Sequence, residues 1–250
     1  MDIKGKNALI TGGAVRVGKA ITLALAKAGA NVVINYNSSA KAAEATKLEA
    51  KKFGVQALAL QADIGDYQQV KSLVSESVES LGGIDILINS ASLWRQTPFP
   101  MEDLEDWYLI TNILINGSFY CANEVAPLML AAGGGDIINI IDLSAFEPWS
   151  NYMAHSVGKS ALLALSRQLA LELAPTVKVN SIAPGPVLPP PGYSQESIDK
   201  IARKTLLGRW GSAEDIAQTA LFFIQSDYIT GEMLAVDGGE RFGHRKIGDE

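Results

Sequence analysis

The stretch that most constrains this chain is its first turn, Thr11-Gly12-Gly13-Ala14-Val15-Arg16-Val17-Gly18. The apolar run Ala8-Leu9-Ile10 before it reads as a buried parallel strand, and Val17, Ala20, Ile21, Ala24, Leu25 and Ala28 after it recur at helical spacing. Without a Cβ, Gly12 and Gly13 can take turn dihedrals and let a phosphate approach the backbone, while Gly18 lets the helix lie close to the sheet. The first amides of that helix have no intrahelical partner and carry the positive end of the dipole. A pyrophosphate is their natural occupant.

Composition narrows what such a turn can serve. At 250 residues, 48% hydrophobic and 19% charged, the chain fits one well-cored domain over 1–250. A net charge of -6 without a basic run argues against nucleic acid and anionic membrane as partners. No apolar stretch approaches the length of a bilayer span, and the chain enters its first strand too soon for a signal peptide, so a cytoplasmic location is expected. The single cysteine, Cys121, excludes an internal disulfide, and with only two histidines no zinc site is expected.

Strands are expected at 31–36, 56–61, 84–89, 136–142, 177–182 and 232–236. Helices are expected between them, at about 40–53, 66–81, 101–132, 151–174, 197–205 and up to 225, with Pro127 bending the long one. The second strand ends in Asn37-Ser38-Ser39 and carries no acidic residue to hold a ribose 2'-hydroxyl, which leaves room for the 2'-phosphate of NADP. Arg16, Ser38 and Ser39 can supply donors to that phosphate, and Ser39 can also cap the following helix. NADP(H) is therefore favoured over NAD(H).

Further along, Asn89-Ser90-Ala91-Ser92 closes the fourth strand, Ala183-Pro184-Gly185-Pro186-Val187 the sixth, and Asp237-Gly238-Gly239 the last. Asp142, His155 and Lys159 are spaced thirteen and then four residues apart. In this order, from about residue 5 to 240, these features resemble the short-chain dehydrogenases/reductases. Arg16 stands where most of that family has a middle glycine, as in its pteridine reductase branch.

The resemblance implies a single-domain Rossmann fold, a doubly wound parallel seven-stranded sheet with helices on both faces, and a homodimer or homotetramer. It assigns Gly12, Arg16, Val17 and Asn37 to the cofactor phosphates, and Asp63 and Ile64 to the adenine. Asn89, Ser90 and Ala91 would line the cofactor, and Pro184, Gly185 and Val187 would cradle the nicotinamide amide under a lid at about 187–210. Asn112 would kink its helix and hold a water beside Lys159. Arg16, Ser92, Trp94 and Tyr152 would face the substrate, with Trp94 sandwiching a pterin. Read alone, Asp63 is a turn residue and Trp94 a packing anchor.

The chemistry rests on Asp142, His155 and Lys159. In the family these places hold a serine, a tyrosine that donates the proton following hydride transfer, and a lysine that reaches the nicotinamide ribose; the pteridine reductase branch commonly has an aspartate in the first place, paired with the tyrosine to assist protonation of a ring nitrogen. Residues four apart face the same way on a helix, so Lys159 would set the charge around His155. An imidazole titrates near neutrality and can act as an acid, and Asp142 would orient it and stabilise its cationic form. An Asp142–His155 pair is expected. The leading reading is an NADPH-dependent reductase of a pterin-like small molecule. The alternatives are a 3-oxoacyl-thioester or general carbonyl reductase, and an NADP-binding protein that has lost catalysis with its tyrosine.

Overall fold

The computed structural model describes residues 1–190 and 192–243, and the tail with His244, expected to be surface, lies outside them. Seven segments pair as strands: β1 (Asn7–Thr11), β2 (Asn31–Tyr36), β3 (Ala57–Gln61), β4 (Ile86–Asn89), β5 (Gly135–Ile140), β6 (Val177–Pro184) and β7 (Met233–Val236). They form one sheet in the order β3-β2-β1-β4-β5-β6-β7, with every pair parallel. The helices are α1 (Arg16–Lys27), α2 (Ala40–Lys51), α3 (Tyr67–Leu81), α4 (Glu105–Thr111), α5 (Ser118–Ala132), α6 (Met153–Leu173), α7 (Gln195–Lys204), α8 (Ala213–Gln225) and α9 (Glu240–Gly243).

Alternation along the strands builds two cores. Ala8, Ile10, Val32, Ile34, Ile86, Ile88, Ile138 and Ile140 pack on one face against α1, α2 and α8. Leu9, Val33, Leu87 and Ile137 pack on the other, against α3, α5 and α6. Because both faces are covered, the strands are apolar at consecutive positions, as a parallel sheet requires. The expected doubly wound fold is the one observed. The chain order reverses between β1 and β4, and the exits of those strands open the crevice in which such sheets take ligands.

Three departures from the expected elements matter to the site. β5 stops at Ile140, and Asp142 instead caps a short 3₁₀ turn, Leu143–Ala145, by accepting from the Ser144 amide. α6 starts at Met153, because Asn151 takes a left-handed φ of 66° that ends the preceding loop. The stretch 101–132 is not one α-helix: α4 begins at Glu105, and a π-helical segment, Asn112–Gly117, separates it from α5. Pro127 does lie inside α5, but the marked departure from α geometry comes earlier, at Asn112.

Among the described residues no helix is long and apolar enough to cross a membrane. Cys121 is buried in the second core, where desolvation pushes its thiol up to about 12. Leu87 is fully buried at the centre of the sheet. Leu87→Ala should lower the unfolding free energy by about 2–5 kcal/mol in urea titrations, and a loss well under 1 kcal/mol would contradict this packing.

Candidate active site

The glycine turn is closed by its own neighbours. A Cβ on Gly12 would sit 2.9 Å from Ala91 Cα, and one on Gly18 would strike the Gly12 carbonyl. Gly12 also takes a φ of 62°. Thr22 donates to the Gly13 and Gly18 carbonyls, Thr46 to the Ala14 carbonyl, and the Gly13 amide to the Asn35 carbonyl. Sequence reasoning missed these braces, because a threonine inside a helix carries no local signal of its bond to a distant loop. Val15 precedes α1 without a side-chain cap, so the first amides of that helix are free of one and point into the crevice end of the sheet.

Around this turn the expected residues divide. Asn37 and Ser38 are exposed at the β2 exit beside half-buried Ser39, which sits at the cap position of α2 but makes no capping bond. Arg16, with a φ of 51°, donates instead to the Leu188 and Pro189 carbonyls of the expected lid, at 2.9 and 3.5 Å. Asp63 accepts from the Gly65 amide, and Ile64 is buried in the second core. Ser90 and Ala91 donate their amides to the Thr11 hydroxyl. Asn89 turns inward and donates to Asn139 at 2.8 Å, which donates on to Ser166. Its side chain therefore ties β4 to β5 rather than reaching a ligand. Pro184 ends β6, the Gly185 amide donates to the Val236 carbonyl, and Val187 packs in the first core.

At the β5 exit, Asp142 and His155 meet. Nε2 of His155 lies 2.6 Å from Asp142 Oδ2, and Nδ1 lies 3.3 Å from the Leu93 carbonyl. Both ring nitrogens face acceptors, so the doubly protonated ring is the form that satisfies both. Asp142 Oδ1 accepts from the Ser144 amide at 2.9 Å and the Ser144 hydroxyl at 2.5 Å. Burial by itself would raise Asp142, but the His155 bond and the charges of Lys159 and His155 overcome it and hold the carboxyl below its ordinary 3.8. His155 is 2% exposed and Asp142 15%. Asp142 therefore lies nearer solvent, with the imidazole behind it.

Lys159 is buried and donates to the Ile140 carbonyl at 2.7 Å rather than extending into the crevice. Desolvation lowers its ordinary value and the Asp142 charge opposes that. Asn112 opens the π-helical segment, as the implied kink required, but its amide donates to the Gly65 carbonyl and accepts from Asn116. Those bonds fix α4 to the loop before α3.

Above the pair, Trp94 is 45% exposed and packs 4.4 Å from Tyr152, 4.8 Å from His155 and 5.3 Å from Trp149, ring centre to ring centre. Ser92 is exposed on the same loop. Thr97 pins this loop to the start of α6: its amide donates to the Asn151 carbonyl at 2.7 Å, and its hydroxyl accepts from the Ala154 amide at 3.0 Å. That hydroxyl caps an otherwise orphaned helix amide. Neither Thr97 nor Trp149 stood out in the sequence, since an isolated loop residue shows no periodicity.

With this geometry in hand, kinship is clear. A family model described as enoyl-(acyl carrier protein) reductase matches residues 13–240. The 3-oxoacyl-(acyl-carrier-protein) reductase of Synechocystis sp. is 34% identical over 236 residues, 93% of this chain and 95% of that protein. FolM alternative dihydrofolate reductase 1 of Brucella canis, complexed with NADP, superposes with a TM-score of 0.90 at 30% identity, covering 99% of this chain and 97% of its own. A blue fluorescent protein from a metagenomic library, in complex with NADPH, gives 0.87 at 32% identity over 96% and 99%. The chain belongs to the short-chain dehydrogenase/reductase family.

The Asp142–His155 contact has a pH signature. A carboxyl held below its ordinary 3.8 adds stability above that value, and the stability is lost as pH falls through the lower folded value. Urea titrations carried downward from neutrality should show the natural chain losing stability below 3.8 more steeply than Asp142→Asn. Parallel acid limbs would contradict the pair.

Proposed function

We propose that the protein is an NADPH-dependent reductase of a flat, pterin-like ring, and the observation that carries this reading is the Asp142–His155 pair beneath Trp94. The cofactor fits the residues present. A glycine turn that a Cβ would fill, uncapped first amides on α1, and a β2 exit without an acidic residue suit a pyrophosphate and a 2'-phosphate. The amides about Gly12 and Val17 would hold the first, Ser38 and Ser39 the second, and the Pro184 to Val187 backbone the nicotinamide amide. The NADPH complex and the NADP complex among its structural relatives support the same choice.

NADPH supplies the hydride when bound. The protein's own task is the proton. Asp142 Oδ2 accepts from His155, and Asp142 is the more exposed of the two, so a ring nitrogen of the substrate can approach the pair from its side. As that nitrogen gains negative charge, the Nε2 proton of His155 passes to Oδ2, and Oδ2 delivers that same proton to the nitrogen. The carboxylate ends as it began, and the imidazole is left neutral for solvent to reprotonate. Lys159, buried behind Asp142, favours the carboxylate electrostatically.

Trp94, packed on Tyr152 and Trp149, roofs this point with aromatic surface that suits a planar ring better than an extended acyl chain. The acyl-thioester alternative draws on the Synechocystis relative. Self-association into a dimer or tetramer remains part of this reading. The exposed Leu171, Phe222 and Tyr228 offer apolar surface for it, and a monomeric sedimentation coefficient would remove it.

The test is NADPH oxidation with dihydrobiopterin and with an acetoacetyl thioester. Turnover of the pterin is expected, with Asp142→Asn lowering kcat by roughly 10²–10⁴-fold while NADPH fluorescence titrations stay unchanged. Turnover of the thioester alone would transfer the site to the acyl reading. NADPH binding without turnover of either would leave a binding protein.

A further inference from the structure

Trp149 is used by none of the steps above, yet it is the best-aligned partner of His155. Its ring lies 6.2 Å from the imidazole, centre to centre, at an interplanar angle of 8°, whereas Trp94 meets the same imidazole edge-on at 78°. The indole is anchored from behind. It packs on the satellite core of Ile141, Leu143, Leu162 and Ala183, while the Trp149 backbone amide donates to the Ser156 hydroxyl and its backbone carbonyl accepts from the Tyr152 amide. An indole held this way offers its negative face to whatever lies parallel to it.

The imidazole needs such a neighbour. It is almost wholly buried and belongs to the first turn of α6, where the positive end of the helix dipole opposes a cation. The charged and titratable groups around it are Asp142 at the β5 exit, Lys159 one turn on along α6, and Tyr152 beyond Trp94. Asp142 alone faces the ring with a negative charge, and it is shared with Lys159.

We propose that Trp149 is a positioning residue that holds the His155 imidazolium in register with Asp142 by stacking its indole face on the ring. The aromatic cluster then has two parts with different work: Trp94 and Tyr152 roof the substrate, and Trp149 keeps the proton store charged and aligned. This inference takes its purpose from the proton relay proposed above, but its physical content does not depend on turnover.

The experiment follows from the two histidines of the chain. In a His244→Gln background, His155 is the single imidazole, and its nitrogen resonances can be titrated by NMR with Trp149 intact, as Trp149→Phe, and as Trp149→Met. Methionine keeps apolar bulk over the ring without a π face. Its titration midpoint should fall by about half a pH unit, the size expected of a cation–π contact at the weak end of its range. Phenylalanine should restore most of that shift, and thermal melts of both variants establish that they fold.

An unchanged midpoint would overturn the inference, and so would an upward one, because a residue that merely covers the ring opposes its charge. If the midpoint falls as expected but no substrate is reduced, the stacking role stands and the reductase reading fails. If pterin turnover is found with no shift in midpoint, the reverse holds.

Discussion

The contact between Asp142 Oδ2 and His155 Nε2, 2.6 Å long and largely shielded from water, is the interaction on which the rest of the site depends. A carboxylate in such surroundings is costly unless paired, and an imidazolium is equally so. Here each answers the other, and the remaining lone pairs and protons are taken up by Ser144 and the Leu93 carbonyl. In the function proposed above, His155 takes the place of a phenol. A phenol brings its own proton to the ligand, whereas an imidazole, shorter by roughly 2 Å on ordinary bond lengths, has to work through something closer. Asp142 is that closer group.

The fold brings these parts together by ending elements early. β5 stops at Ile140, so the chain can turn Asp142 out of the ladder and cap the next turn with it. α6 begins at Met153, which places His155 in its first turn and Lys159 one turn further, both on the buried face. The loop from β4 crosses above them and is pinned by Thr97 to the same helix start. The packing of β5 and α6 against each other and on the sheet sets the distance between acid and base. The glycine turn at the other side of the crevice depends on the same economy of space, with Gly12 against Ala91 and Gly18 against Gly12.

Much of this was legible in the chain. Strands covered on both faces carry apolar runs rather than strict alternation, so all seven were visible in the chain. The Asp142–His155 pair was visible too, since a spacing of thirteen residues from strand end to helix matched a known pattern. What stayed hidden were the directions of side chains. Lys159 points into protein because a carbonyl awaits it there, and no spacing reports that. Arg16 meets the lid because residues 188 and 189, far along the chain, offer free carbonyls. The order of Asp142 and His155 toward solvent is a matter of burial alone.

The account's central claim is that the proton given to the substrate comes from the His155 imidazolium by way of Asp142. Its most direct test is the pH dependence of single-turnover NADPH oxidation in the natural chain and in Asp142→Asn. A protonated store requires the rate to fall as pH rises through the titration of the imidazole. Loss of the neighbouring carboxylate, which favours the cation, should move the residual activity's falling limb to lower pH. A rate that stays level through the neutral range in the natural chain, or a limb that does not move in the variant, would contradict the claim.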